Sequence, residues 1–213
     1  MRAIQTLREV DVIACEDTRH TQRLLHHYEI HKRLIACHAH NESTSAAGIV
    51  KLLEEGSSVA FVSDAGTPGI SDPGARVVQA VRKAGFSVVP IPGPSAVTAL
   101  ISASGFTGKS FTFEGFLSPK AGRRKARLEA LLSRDEAFVL YESPFCVVKL
   151  LQQLAELDQH RQVLVGRALT KTFEEFVEGD AQSVALTFSE RPSIKGEFVL
   201  CISPSDRVRE ESS

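Results

Sequence analysis

The sequence predicts an α/β protein of two domains, and three observations lead to that class. Apolar runs of four or five residues recur along the chain, each followed by a stretch whose apolar positions have helical spacing. Glycine and proline gather at the ends of these runs, which marks loops between elements. The 213 residues, 43% hydrophobic and 24% charged, are also enough to bury a sizeable core. Short strands alternating with helices form parallel sheets joined by crossover helices. Residues 1–108 read as one such domain, 109–204 as a second α/β domain, and 205–213 as a polar, flexible tail.

The first element is a short helix over Arg2–Val10, followed by the apolar run Val10–Cys15, which suits a buried strand. Thr18 is placed to cap the next helix, with Leu24 and Leu25 turned inward. Leu34–Cys37 is a second strand. Ser43 or Thr44 caps a helix carrying Ile49, Val50, Leu52 and Leu53, which Gly56 stops. Ser58–Val62 is a third strand, and the loop Ser63–Asp72 leads to a helix over Pro73–Ala84. Val88–Ile91 reads as a fourth strand, and the stiff turn Pro92-Gly93-Pro94 precedes a helix opened by Ser95. In the second domain, strands are expected at Phe111–Phe116, Ala137–Tyr141, Gln162–Ala168 and Gly196–Ile202, with helices near 123–133 and from Pro144; 181–188 fits helix or strand.

Composition narrows the function. Lys+Arg at 25 against Asp+Glu at 26 gives a net charge of -1, so any nucleic-acid footprint must be local. No stretch reaches the roughly 18 apolar residues that span a bilayer, and no basic-then-apolar segment opens the chain, so a soluble, cytoplasmic protein with no membrane partner is expected. Cys15, Cys37, Cys146 and Cys201 form no Cys-x-x-Cys pair and read as core thiols of a reducing compartment. His38 and His40 lack further ligands at workable spacing, so no metal is expected.

The strongest chemical signal is Ser63-Asp64-Ala65-Gly66-Thr67-Pro68-Gly69-Ile70-Ser71-Asp72-Pro73-Gly74, a glycine-rich loop at a strand end that feeds a helix. Ligands of open parallel sheets bind at the carboxyl ends of strands, and glycine allows close backbone approach. The loop has neither the Gly-Lys-Ser/Thr ending nor the Gly-x-Gly-x-x-Gly spacing of phosphate loops. Pro92–Ala96 occupies the next strand end, and Glu16-Asp17-Thr18-Arg19 and His40-Asn41-Glu42 follow the first two strands. Residues 119–134 hold six basic side chains against Glu129 alone, a local net of +5 that suits a phosphate backbone. Tyr141-Glu142-Ser143-Pro144, Arg167–Lys171 and Lys195-Gly196-Glu197 place polar groups at strand ends of the second domain.

Together these segments resemble the tetrapyrrole methylase superfamily (class III methyltransferases), and within it the branch that methylates ribosomal RNA. The segments that carry the resemblance are Ala14–Thr21, His38–Glu42, Ser63–Gly74, Pro92–Leu100, Phe113–Leu117, Gly122-Arg123-Arg124, Tyr141–Pro144, Leu169-Thr170-Lys171 and Lys195-Gly196-Glu197. The resemblance covers about residues 1–203 and implies two α/β domains with an S-adenosyl-L-methionine cleft between them. It also implies a cytoplasmic homodimer that methylates the 2'-hydroxyl of a decoding-centre cytidine in 16S rRNA of the small ribosomal subunit, and does not act on DNA. The residues it assigns to the cofactor are Asp64, Ala65, Gly66, Thr67, Pro94, Ser95, Ala96, Tyr141, Glu142, Ser143, Leu169 and Thr170. A ribose hydroxyl must lose its proton as it attacks in line with the leaving sulfur, which assigns Glu16 and Asp17 to orienting or deprotonating it. Lys171 is assigned to stabilising oxyanion charge. Arg19, Asn41, Lys120, Arg123, Arg124, Lys125 and Arg127 are assigned to RNA.

The chain departs from the family pattern in places. Relatives begin on an apolar strand and a Thr-Pro-Ile-Gly-Asn-like loop, whereas this sequence opens on Arg2–Val10, so the first strand of the N-terminal sheet and the C-terminal tail are expected to be missing. Phe145-Cys146 replaces the usual His-Arg, and Ala168 replaces the usual Glu. Three readings stand at this point: an rRNA 2'-O-methyltransferase, a small-molecule (tetrapyrrole-type) methyltransferase, and a partial RNA-binding remnant without cofactor binding.

Overall fold

The computed structural model describes residues 1–39, 41–106, 110–134 and 136–205. His40 and most of the tail expected at 205–213 therefore lie outside the described residues. The chain divides into two compact units, Met1–Ser95 and a second that begins at Ala96.

The first unit runs α1 (Arg2–Glu9), β1 (Val12–Cys15), α2 (Thr18–His27), β2 (Arg33–Ala36), α3 (Glu42–Glu54), β3 (Val59–Val62) and α4 (Ala75–Lys83). Its sheet is parallel with order β2-β1-β3, in register from Val12 opposite Arg33 and Val59 to Cys15 opposite Ala36 and Val62. β1 is buried along its whole length, as a strand covered on both faces must be. Asp11 ties the start of β1 to β3: its carboxylate accepts from the Ser58 backbone N–H at 2.8 Å and hydroxyl at 2.7 Å. One side of the sheet packs Ala14, Cys37, Ala46, Ile49, Val77 and Val81; a second cluster joins Leu7, Val10, Ile13, Leu25 and Ile30.

Three local expectations need correction. Leu25 is buried but Leu24 is exposed, because α2 presents only one of two consecutive positions to the core. The N-caps are Asp17 and Asn41, one residue before Thr18 and two before Ser43. Val88–Ile91 forms no strand. Phe86 and Val88 lean on the core, but among the described residues the outer edge of β3 has no ladder partner, and Pro90 has no N–H to donate.

The second unit runs α5 (Ala96–Ser104), β4 (Phe111–Phe116), α6 (Ala121–Leu132), β5 (Ala137–Glu142), α7 (Val147–Leu157), β6 (Gln162–Arg167), β7 (Glu175–Asp180), α8 (Ala181–Ser189) and β8 (Phe198–Ile202). The sheet order is β4-β5-β8-β6-β7. β5 and β6 both pair antiparallel with β8, so they run the same way and end at the same edge. β7 was not legible in the sequence: its polar edge-strand pattern lacks an apolar run. α5 belongs here and not with residues 1–95. Val97, Leu100 and Ile101 pack on Phe106, Val139 and Val199, so the division falls at Ser95/Ala96, a dozen residues before the expected 108. The larger core lies on the other face of this sheet, around Leu128, Phe138, Leu140, Leu150, Leu151, Leu154 and Phe188.

Among the described residues no helix is long and apolar enough to cross a membrane. No group of three or more His, Cys, Asp or Glu side chains among them is placed to hold a metal.

The two sheets should tolerate truncation differently. Leu140 is fully buried, so Leu140→Ala should cost about 2–5 kcal/mol. Val59 is half-buried, and Val59→Ala should cost about 1 kcal/mol. Urea titration of both variants measures this, and equal losses would contradict the burial difference.

Candidate functional site

The carboxyl ends of β1 and β3 bring the first group of functional residues together. Glu16 and Asp17 follow β1 directly, and Asp64 follows β3 by two residues. The Asp17 backbone N–H donates to the Asp64 carboxylate at 3.2 Å, so the two strand ends are joined by the residues assigned to chemistry and cofactor. Asp64, Ala65 and Gly66 are exposed, and among the described residues the N–H groups of Ala65 and Gly66 enter no hydrogen bond. Thr67 donates its hydroxyl to the Pro94 carbonyl at 3.0 Å, which draws the Asp64–Thr67 and Pro92–Ser95 loops together.

The roles of Glu16 and Asp17 separate in the structure. The Asp17 carboxylate caps α2 by accepting from Arg19 N–H at 2.8 Å, and the Arg19 guanidinium grips it at 3.2 and 2.9 Å. These bonds hold the Asp17 carboxyl down at about 2, well below its usual 3.8. Its oxygens are engaged and it is a weak base. Glu16 is half-buried and makes no hydrogen bond or ion pair among the described residues, so its carboxylate is available.

Glu42, marked in the sequence as part of the His40-Asn41-Glu42 segment but given no role of its own, fastens the loop. Its carboxylate accepts from the backbone N–H of Gly74 at 2.9 Å and of Arg76 at 3.0 Å, while Arg76 donates to the Ser43 hydroxyl at 2.9 Å. These are N–H groups at the start of α4, where Gly74 has no side chain to cap with. The signal was the Glu at the end of the His38–Glu42 segment, but the partner 32 residues away is set by the sheet. Glycine suits position 74: its φ is +142°, and a Cβ there would stand 3.1 Å from the Gly69 nitrogen and 3.2 Å from the Phe61 ring. Asn41 is turned to local work, accepting from His38 N–H at 2.8 Å and donating to the Ala36 carbonyl at 3.3 Å.

The second group sits at one edge of the other sheet, where β5 and β6 end and β8 begins. Tyr141 stacks edge-on against Phe113 and Phe116 at 5.0 and 5.7 Å, and Ala96, Tyr141 and Leu169 lean on one apolar cluster. Glu142 is 7% exposed, its carboxylate accepts from Ser143 N–H at 2.7 Å, and burial pushes its pKa up. After β6 the chain turns through Ala168 (φ 47°) and Thr170 (φ 65°), left-handed conformations that side chains rarely adopt. Such backbone costs about 1–3 kcal/mol per residue and persists where surrounding bonds enforce it. Here Ala168 N–H donates to the Glu197 carbonyl at 2.9 Å and Thr170 N–H to the Glu174 carboxylate. Lys171 is paired with Glu197 at 2.6 Å. Phe145 stands 86% exposed, and Ala168 is buried.

The basic segment is less available than its charge suggests. Arg124 is 5% exposed and donates to Gln153 at 2.8 Å, so it is a packing residue and not a phosphate contact. Arg127 is clamped by both oxygens of Glu114 at 2.7 and 2.6 Å. Lys120, Arg123 and Lys125 remain exposed at the start of α6.

A sulfonium amino-acid nucleoside needs a carboxylate or N–H groups for its polar ends and small residues for its flat base. Within the first unit, Asp64 and the N–H groups of Ala65 and Gly66, which enter no hydrogen bond among the described residues, fit the polar needs.

The family model of the Tetrapyrrole (Corrin/Porphyrin) Methylases matches residues 1–185. The chain is 42% identical over 212 residues to ribosomal RNA small subunit methyltransferase I of Mesorhizobium japonicum, covering 99% of this chain and 72% of that protein. The Bacillus subtilis protein of the same name gives the same values. That of Borrelia garinii subsp. bavariensis is 42% identical over 96% of this chain and 92% of its own. Among solved structures, the methyltransferase CobJ superposes with a TM-score of 0.69 at 18% identity, covering 96% of this chain and 87% of that one. Diphthine synthase gives 0.70 at 12%, covering 95% and 83%. At these identities the structural matches speak for the fold alone.

Two outcomes follow from the geometry. Gly74→Ala should cost about 1–3 kcal/mol by forcing a side chain into a strained, closed position, measurable by thermal or urea unfolding. Asp17, held near 2 when folded against 3.8 otherwise, stabilises fully above about pH 4 and loses that contribution as pH falls toward 2. Melting curves of the parent and of Asp17→Asn should therefore differ above pH 4 and converge near pH 2.

Proposed function

We propose, for a chain that belongs to the tetrapyrrole methylase family and within it to the ribosomal RNA small subunit methyltransferase I group, that it transfers a methyl group from S-adenosyl-L-methionine to a ribose 2'-hydroxyl of 16S rRNA. The target is a decoding-centre cytidine, as the family resemblance implies. The observation that carries the chemical part is the free, half-buried Glu16 beside the Asp17–Asp64 junction.

When bound, the cofactor supplies an electrophilic methyl on a sulfonium. The protein's own task is alignment and proton removal. Cofactor residues are drawn from both units: Asp64–Thr67 with Pro94 and Ser95 in the first, and Ala96, Tyr141–Ser143, Leu169 and Thr170 in the second. Glu16 accepts the proton of the 2'-hydroxyl. Asp17 positions, because its carboxylate is spent on the α2 cap and Arg19. Lys171 serves the developing oxyanion only by giving up Glu197. Lys120, Arg123 and Lys125 take phosphates.

The same reading places the protein in the cytoplasm as a homodimer and makes RNA, not DNA, its substrate, since DNA lacks the hydroxyl that is methylated. The test is transfer of labelled methyl from S-adenosyl-L-methionine to unmethylated 30S subunits. Glu16→Gln should lower kcat by about 10²–10⁴-fold with cofactor affinity unchanged. Full activity of Glu16→Gln would remove Glu16 as the base, and no transfer by the parent chain would remove the reading.

A further inference from the structure

Among the described residues the aromatic ring most open to solvent has no use in the chemistry above. Phe145 is 86% exposed, against 72% for Phe173 and 59% for Phe116. Phe116 rests its ring on Tyr141, whereas Phe145 makes no ring contact among the described residues. It sits in the turn between β5 and α7, two residues before the helix begins at Val147.

The surroundings of the ring are cationic. Lys149 lies in the first turn of α7, and Lys120, Arg123 and Lys125 lie at the start of α6. All four side chains are exposed and make no hydrogen bond or ion pair among the described residues. Two hydrogen bonds join the two helices here. Gln153, one turn beyond Lys149 on the same side of α7, donates to the Ala121 carbonyl at 3.2 Å and accepts from Arg124 at 2.8 Å. The side of α7 that carries Lys149 therefore leads to the first turn of α6. At 1.5 Å per residue, α7 covers about 9 Å between Val147 and Gln153. The carboxylates of the strands that feed these helices are withdrawn. Glu142 is 7% exposed with its pKa pushed up by burial, and Glu114 is clamped by Arg127. The exposed acids Glu129 and Glu156 lie further along α6 and α7.

We infer that this surface binds single-stranded RNA, with an unpaired base stacked on the Phe145 ring and the adjoining phosphates on Lys149 and the α6 cations. The two halves of the surface match the two halves of a nucleotide: a bare ring for a base face, and unpaired cations for a backbone. A phosphate or sulfate ion would use the cations and leave the ring in water. A second copy meeting this patch across a two-fold axis would set the four cations against their own counterparts. The inference rests on the rRNA reading above and deepens it, adding Phe145 and Lys149 to the cations already assigned to phosphates.

The chain contains no tryptophan, so Phe145→Trp places a single indole at the site. Single-stranded 20-nucleotide RNA should quench the emission of that full-length variant as a base stacks on it. Anisotropy of the fluorescein-labelled RNA should show Phe145→Leu binding about fivefold or more weakly than the parent. The slope of log affinity against log salt should stay unchanged, because a lost stack releases no counterions. Lys149→Gln should weaken binding and flatten that slope by about 0.7, the share of one phosphate contact. If RNA binds while the indole emission stays fixed and Phe145→Leu matches the parent, the inference is overturned and the rRNA reading stands. An emission shift that follows protein concentration without RNA would give the ring to a second copy. Loss of S-adenosyl-L-methionine affinity in Phe145→Leu, read by calorimetry, would give it to the cofactor. Either result overturns the inference. If the parent chain binds no RNA, it falls together with the rRNA reading.

Discussion

Each unit is organised by a strand that is hydrogen-bonded on both edges: β1 in the first and β8 in the second. β1 spends all four residues inside the sheet and so delivers Glu16 and Asp17 at the point where the backbone leaves it. Because β2 and β3 run parallel to it in register, the His38–Glu42 and Ser63–Gly74 segments leave the sheet on the same side. β8 does the equivalent by opposing two neighbours. β5 and β6 are each antiparallel to it, which is why Tyr141–Ser143, Ala168–Lys171 and Lys195–Glu197 share one sheet edge. Loss of either strand's pairing would scatter residues that are far apart in sequence.

Most of this framework was legible in the sequence because it rests on local signals. The apolar runs at 12–15, 59–62, 111–116, 137–142 and 162–167 gave strands within a residue or two, and the Gly-Pro loops gave the strand ends where chemistry collects. Val88–Ile91 shows the limit. Its composition is that of a strand, but a strand exists only where a neighbour offers a ladder, and among the described residues no ladder partner flanks β3 on that side. β7 shows the opposite case, a polar segment made into a strand by pairing with β6. The helix over Ala96–Ser104 was legible as a helix, while its membership was not, since that depends on what Leu100 touches.

The site was legible as a set of segments more than as roles. Glu16 and Asp17 are adjacent and chemically alike, yet among the described residues the first has no partner and the second is consumed by a helix cap and an arginine. Arg123, Arg124 and Lys125 are consecutive, yet the middle one is buried because α6 turns it toward α7. Such assignments follow from helical phase and from partners distant in sequence, as with Glu42 and Gly74. A count of charges along 119–134 overstates the charge free for phosphates there, because Arg124 is buried and Arg127 is paired with Glu114.

The central claim is that this chain binds S-adenosyl-L-methionine. Calorimetric titration of the purified, folded 213-residue protein with the cofactor tests it most directly. The account predicts about one cofactor per chain with a Kd in the micromolar range. A folded chain that takes up no cofactor would contradict it, whatever its relatives do.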